Sequence, residues 1–370
     1  MGTLFTLDGL RVTQPFCELH TGNALCILPK LDVQVHTVVT SPPYFQKRQY
    51  GDATCEIGNE KHVEDYIETL CQVFDSINLH PLGSVWVNIG DKRDKNGSCQ
   101  EIPAQFALAM RKRGWLIADS VVWAKVVARK DGTTEGGCMT EPSTGRLNGN
   151  GYEMIYRFVK SKKLGDAWSD TCAVRIPRFG VDVERYLPSE YMEIETSLNG
   201  RNLPNVWRVE MGQSKDKHFA VYPRALCERP IAMTCPPFVN LDGSLPTRCV
   251  EMVVYDEQRG SKRVFGKYSA EEEREKAGRQ DFARSYVPRM PKSLGWDNLQ
   301  EEVSPGVVLD PFCGSGSTGV AAAYLGRSFI GIDLYEFNTD LSRKNCDEAR
   351  AYVNSLSRHP LELIYANAKR

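Results

Sequence analysis

The stretch Val307-Val308-Leu309-Asp310-Pro311-Phe312-Cys313-Gly314-Ser315-Gly316-Ser317-Thr318 constrains the fold more than any other part of the chain. Its three leading apolar residues read as a buried parallel strand that runs straight into a glycine-rich turn. Ser317 or Thr318 is placed to cap a helix through Gly319 to Leu325. Glycine lets the backbone approach a ligand closely, and the N–H groups of a helix start point towards it. Gly326-Arg327 ends the helix, and Ser328 to Ile332 reads as a second strand closed by Asp333, an acid positioned for ribose hydroxyls. The unit therefore predicts an α/β sheet holding a nucleoside cofactor above Gly314 and Gly316. A glycine turn alone would as readily bind nothing; the flanking strand, helix and distal acid favour the cofactor. Gly314, Gly316 and Gly319 also satisfy the dinucleotide spacing G-x-G-x-x-G, which keeps a nicotinamide enzyme as an alternative.

A second motif follows an early strand. Val35 to Thr40 is a β-branched run, and it ends in Ser41-Pro42-Pro43-Tyr44-Phe45. Two prolines stiffen this loop and push the residue before each into extended geometry. It falls at the carboxyl end of a strand, where open α/β sheets place ligands. Val63 to Leu79 has helical spacing, Ser84 to Asp91 reads as a strand ending in a polar turn, Ile102 to Arg113 as a helix, and Ser120–Trp123 and Tyr152–Phe158 as strands. Glu153 reads as an exposed or salt-bridged strand residue, with a functional role as the alternative.

Both loops carry the same resemblance. Asp310 to Thr318 resembles the cofactor loop, and Thr-Ser-Pro-Pro-Tyr the catalytic motif, of the amino DNA methyltransferases that use S-adenosylmethionine. The catalytic motif precedes the cofactor loop, which matches the family's beta group, a permuted order of the same sheet. The resemblance covers residues 15–160 and 215–345. It implies a Rossmann-like methyltransferase fold: an α/β, mixed but mostly parallel sheet, helices on both faces, and inserted recognition segments. Strands 35–40 and 307–310 should lie side by side. It also implies methyl transfer to the N4 of cytosine, or alternatively the N6 of adenine, in a base flipped out of double-stranded DNA. Serine before the two prolines is closer to the cytosine-N4 members. Ser41 and the Pro42 carbonyl would accept hydrogens of the target amine, Pro43 would stiffen the loop, and Tyr44 would stack on the base. Asn23, Asp310, Pro311, Phe312, Gly314, Gly316, Ser317, Thr318 and Asp333 would hold the cofactor. His218, in a His-x-Ala-x-x-Pro pattern before a helix at 224–229, would wrap its methionine part. A non-catalytic DNA- or cofactor-binding protein is the second alternative. A companion restriction endonuclease and a bacterial, archaeal or phage-infected cytoplasm complete the expectation.

Composition sets the remaining bounds. The formal net charge is −1, so DNA binding needs a local basic face. Twelve cysteines contain no C-x-x-C pair, which predicts neither a zinc ribbon nor a disulfide framework and fits a reducing compartment. Cys227, Cys235 and Cys249 lack metal-ligand spacing, so no metal is expected. No long apolar run predicts a membrane span. The expected domains are a catalytic half over 1–160, a target-recognition region over 161–215, a cofactor half from 216–238 and 306–370, and an inserted subdomain over 239–305. That insertion departs from the family pattern; it should hold a strand at Cys249–Tyr255 and a helix starting at Ser269. Lys125, Arg129, Lys130 and Arg146, in a glycine-rich stretch, are candidates for phosphate contacts.

Overall fold

The computed structural model describes residues 4–7, 9–47, 55–128, 134–136, 151–174, 203–210, 223–256, 261–264 and 289–366. Nine strands form its main sheet. In chain order these are β1 (Cys17–Thr21), β2 (Val35–Thr40), β3 (Leu79–Ile89), β4 (Leu116–Ala128), β5 (Thr134–Gly136), β6 (Tyr152–Val159), β7 (Val206–Glu210), β8 (Val307–Asp310) and β9 (Ser328–Asp333). Across the sheet the order is β1-β9-β8-β2-β3-β6-β4-β5, with β7 also beside β4. The five strands from β1 to β3 run parallel, and β6 is antiparallel to β3 and β4. β2 and β8 are neighbours, with Val38 opposite Leu309, as the two motifs require.

Strand residues alternate between two cores. Val38, Val85, Val87, Leu309 and Ile330 pack on one face with α1 (Val63–Asp75) and α2 (Ile102–Lys112). Val39, Trp86, Val308 and Phe329 pack on the other with α3 (Arg224–Thr234) and α4 (Ser317–Tyr324). The parallel strands β2 and β8 are buried along their whole length, because helices cover both sides. A long helix, α5 (Glu336–Ser355), follows β9 and packs on α4. The fold is therefore the expected mixed α/β sheet with helices on both faces.

The elements differ from the sequence expectation in three places. The helix from Val63 stops at Asp75, because Ser76 closes it through its own hydroxyl on the Gln72 carbonyl, and β3 already begins at Leu79. β4 is far longer than Ser120–Trp123, continued by pairing on both of its edges. Neither Ser317 nor Thr318 caps α4: the cap is Gly316, at φ +88°. A Cβ there would lie 2.4 Å from Ser342 Oγ on α5, so the site takes only glycine.

The segment expected as an insertion, 239–305, is partly described. Its two ends, Val239–Asn240 and Glu302–Ser304, pair with each other and join the hairpin Leu4–Leu7 and Leu10–Thr13 in a four-stranded sheet. Between them, Thr247–Asp256 pairs antiparallel with Ser261–Val264 and with Arg289–Asp297, so the expected strand is present and longer. Arg248 of this sheet pairs with Asp170 at 2.8 Å, and Trp168 Nε1 donates to the Pro246 carbonyl. The helix expected from Ser269, His218, and Arg129, Lys130 and Arg146 lie outside the described residues.

Candidate active site

One cavity of about 530 Å³ opens at the carboxyl ends of β2, β8 and β9. Both motifs line it: Ser41, Pro42, Pro43 and Tyr44 on one side, Asp310 to Ser315, Ser317 and Thr318 on the other, with Asn23 and Asp333 at the rim. Gly316 is the one described member of the predicted cofactor set that does not line it; its role is to let the turn pack on α5.

The cofactor side is braced from beneath. Asp310, only 4% exposed, accepts from Thr40 Oγ1 at 2.6 Å, Thr318 Oγ1 at 2.7 Å and Phe312 N at 3.1 Å. Burial pushes its carboxyl up to about 6, against the pull of these donors. The carboxylate thus ties the end of β2, the turn and the start of α4 together. Asp333 accepts from Gly314 N at 2.9 Å, Tyr335 N and Asn338 Nδ2, and burial raises its carboxyl as well. The Leu334 backbone N–H also pulls on this carboxylate, so Asp333 is held from several sides at the carboxyl end of β9. Gly314 has φ +50°, and a Cβ on it would meet no atom within 4 Å. The turn therefore faces open space at the point where a ligand must approach the backbone. Asn23 caps the helical turn Ala24–Ile27 by accepting from Leu25 N.

On the other side, Tyr66 donates to the Pro43 carbonyl at 2.8 Å and fixes the proline loop to α1. The Tyr44 ring lies on Gly90, where a Cβ would approach it to 2.7 Å, and Lys47 Nζ stands 4.7 Å from the ring centroid. Its hydroxyl reaches deeper. Tyr44 donates to Glu153 Oε2 at 2.5 Å, and Asn88 Nδ2 donates both to Tyr44 Oη at 2.8 Å and to Glu153 Oε2 at 2.7 Å. Lys125 Nζ completes the cluster on Glu153 Oε1 at 2.7 Å.

The sequence reading did not bring three cavity residues, Asn88, Lys125 and Glu153, together. Glu153 is salt-bridged, one of the two expected outcomes, but it is 7% exposed and holds the Tyr44 hydroxyl of the proline loop. Asn88 was one residue in an apolar strand. Lys125, read as a phosphate contact, has its ammonium on Glu153. The signal was present in the register: β6 pairs with both β3 and β4, and antiparallel pairing sets Glu153 opposite Trp123, two residues before Lys125. Only knowledge of the strand order reveals it.

Residues 35–256 and 297–344 match the model of the N6/N4 family described as DNA methylase. This chain belongs to that family. The enzyme is 24% identical over 359 residues to the type II methyltransferase M.SmaI of Serratia marcescens, covering 89% of this chain and 90% of that one. Over 132 residues it is 36% identical to M.SfiI of Streptomyces fimbriatus, about 30% of each chain. Among solved structures it is similar to the cytosine-N4-specific PvuII DNA methyltransferase, with a TM-score of 0.51, 15% identity, and 97% and 94% of the two chains covered. The enzyme is thus a DNA methyltransferase of cytosine-N4 or adenine-N6 type. Among the described residues no helix is long and apolar enough to cross a membrane.

Proposed function

We propose that this enzyme moves a methyl group from S-adenosylmethionine to the exocyclic N4 of a cytosine flipped out of double-stranded DNA, as part of a type II modification system. The observation that carries this reading is the single cavity shared by the proline loop and the glycine turn. Its volume is within the range of sites that hold a small-molecule ligand.

The donor set fits the cofactor. Open space above Gly314, an acid at the end of β9 and the start of α4 suit a nucleoside with a charged tail. S-Adenosylmethionine supplies an electrophilic methyl on a positively charged sulfur. The protein's own contribution begins with positioning the amine in line with that methyl. An exocyclic amine is a weak nucleophile because its lone pair is conjugated into the ring. Ser41 Oγ and the Pro42 carbonyl would accept its two hydrogens and turn the lone pair towards the methyl group. The Tyr44 ring, seated on Gly90, provides a flat wall for the extruded base. Serine at position 41 supports cytosine over adenine, by resemblance to the cytosine-N4 members. The bridge from Arg248 to Asp170 supports treating the insertion and the region after Lys160 as one recognition lobe.

The test is to methylate DNA with the purified enzyme, digest it and separate the nucleosides by mass. N4-methylcytosine is expected; N6-methyladenine would transfer the reading to the other base, and no methylated base would end it. Tyr44→Ala should abolish turnover while cofactor binding survives. Deleting residues 240–300 should relax or abolish sequence preference and leave cofactor binding intact.

A further inference from the structure

Methylating an amine leaves one proton to be removed, and no group in the proline loop is basic. The cluster behind Tyr44 offers a path. Ser41 Oγ donates to Tyr44 Oη at 3.3 Å, and Tyr44 donates to Glu153 Oε2 at 2.5 Å. The direction of this chain follows from the donor inventory. A carboxylate held by the Lys125 ammonium only accepts, so Tyr44 must give its hydrogen to Glu153. Its oxygen is then left to accept from Ser41. Asn88 Nδ2 donates to the same three groups, at 3.3 Å to Ser41 Oγ, 2.8 Å to Tyr44 Oη and 2.7 Å to Glu153 Oε2. That contact also fixes the amide, since the flipped form would set its oxygen against the carboxylate.

We propose that Glu153 is the terminal proton acceptor of the methyl transfer, acting through Tyr44 and Ser41. Ser41 commits its hydrogen to Tyr44 and accepts from Asn88, which leaves one lone pair for the target amine. As the N–C bond forms and the C–S bond breaks, the amine proton passes to Ser41 Oγ. The Ser41 proton passes to Tyr44, and the Tyr44 proton passes to Glu153. The products are the methylated base, the neutral thioether and a protonated Glu153. Charge balances, because the positive charge lost from sulfur neutralises the carboxylate. Lys125 holds the acceptor in place, and Glu153 itself is a positioning residue for Tyr44 until the proton arrives.

The inference rests on the DNA-amine reading above. It is tested by single-turnover methyl transfer with the full chain, cofactor and DNA. Tyr44→Phe keeps the ring and removes only the relay hydroxyl; Glu153→Gln removes the acceptor. Each should slow the chemical step on the order of 100-fold. The double variant should be no slower than the slower single one, because both break one path. The wild type should show a solvent isotope effect that both variants lose. Cofactor binding by calorimetry and thermal unfolding report whether each variant is folded, and Tyr44→Phe carries the test if Glu153→Gln is not. Near wild-type rates in Tyr44→Phe, losses that multiply in the double variant, or an unchanged isotope effect would overturn the relay. Absence of any methylated base with the wild type would instead overturn the functional reading.

Discussion

Thr40 Oγ1 donates to Asp310 Oδ1 across 2.6 Å and joins the ends of two neighbouring strands that lie 270 residues apart in the chain. One hydroxyl thereby couples the base side of the cavity to the cofactor side. Thr40→Val keeps the shape and removes the donor, leaving a buried carboxylate with fewer partners. The variant should lose about 1–3 kcal/mol at pH 7.5. It should lose less at pH 5, where Asp310, already shifted to about 6, takes a proton. Urea unfolding at the two pH values checks this.

Burial on α3 pushes Glu228 up to about 7, although Arg224 at 2.8 Å and Arg229 pull it down. Its folded value lies above the ordinary 4.5, so between those values the folded chain holds a proton that the unfolded chain releases. Stability must therefore fall as pH rises through that window. Glu228→Gln removes this contribution. The difference between the wild-type and variant unfolding curves should grow by on the order of 2 kcal/mol between pH 4.5 and pH 7.5.

Gly314 and Gly319 should fail in opposite ways. An alanine methyl at Gly314 enters open cavity space at a left-handed backbone, so the chain folds at a cost of about 1–2 kcal/mol and cofactor affinity drops at least tenfold. At Gly319 a Cβ would come within 2.5 Å of both Cys346 Sγ and the Phe329 ring. Gly319→Ala should cost about 1–3 kcal/mol in stability with cofactor affinity per folded molecule unchanged. Thermal unfolding and calorimetry separate the two.

Lys125→Met distinguishes its two readings. Removing the ammonium leaves Glu153 buried beside the proline loop with its ion partner gone, and about 3 kcal/mol of stability should go with it. A phosphate contact would instead leave stability alone and reduce the salt dependence of DNA binding.

The sequence made the two motif loops legible because each is written contiguously, while their adjacency came from the family resemblance. A strand, its glycine turn and its helix share one stretch, and so do a β-branched run and its two prolines. The Asn88–Tyr44–Glu153–Lys125 cluster was hidden for the opposite reason. Its members come from three strands and one loop, and the pairing of β2 with β3 and of β6 with β3 and β4 brings them together. Helix ends were misread where tertiary packing overrode capping preference. Gly316 takes the cap of α4 because Ser342 leaves no space for a side chain, which frees Thr318 for Asp310.

The adjacency of β2 and β8 also fixes when the enzyme can first act. During synthesis the proline loop leaves the ribosome more than two hundred residues before its partner strand. An unfinished chain therefore has half a reaction centre and is silent by construction. Two separately produced pieces, divided within the insertion, should be inert alone and regain methyl transfer when mixed.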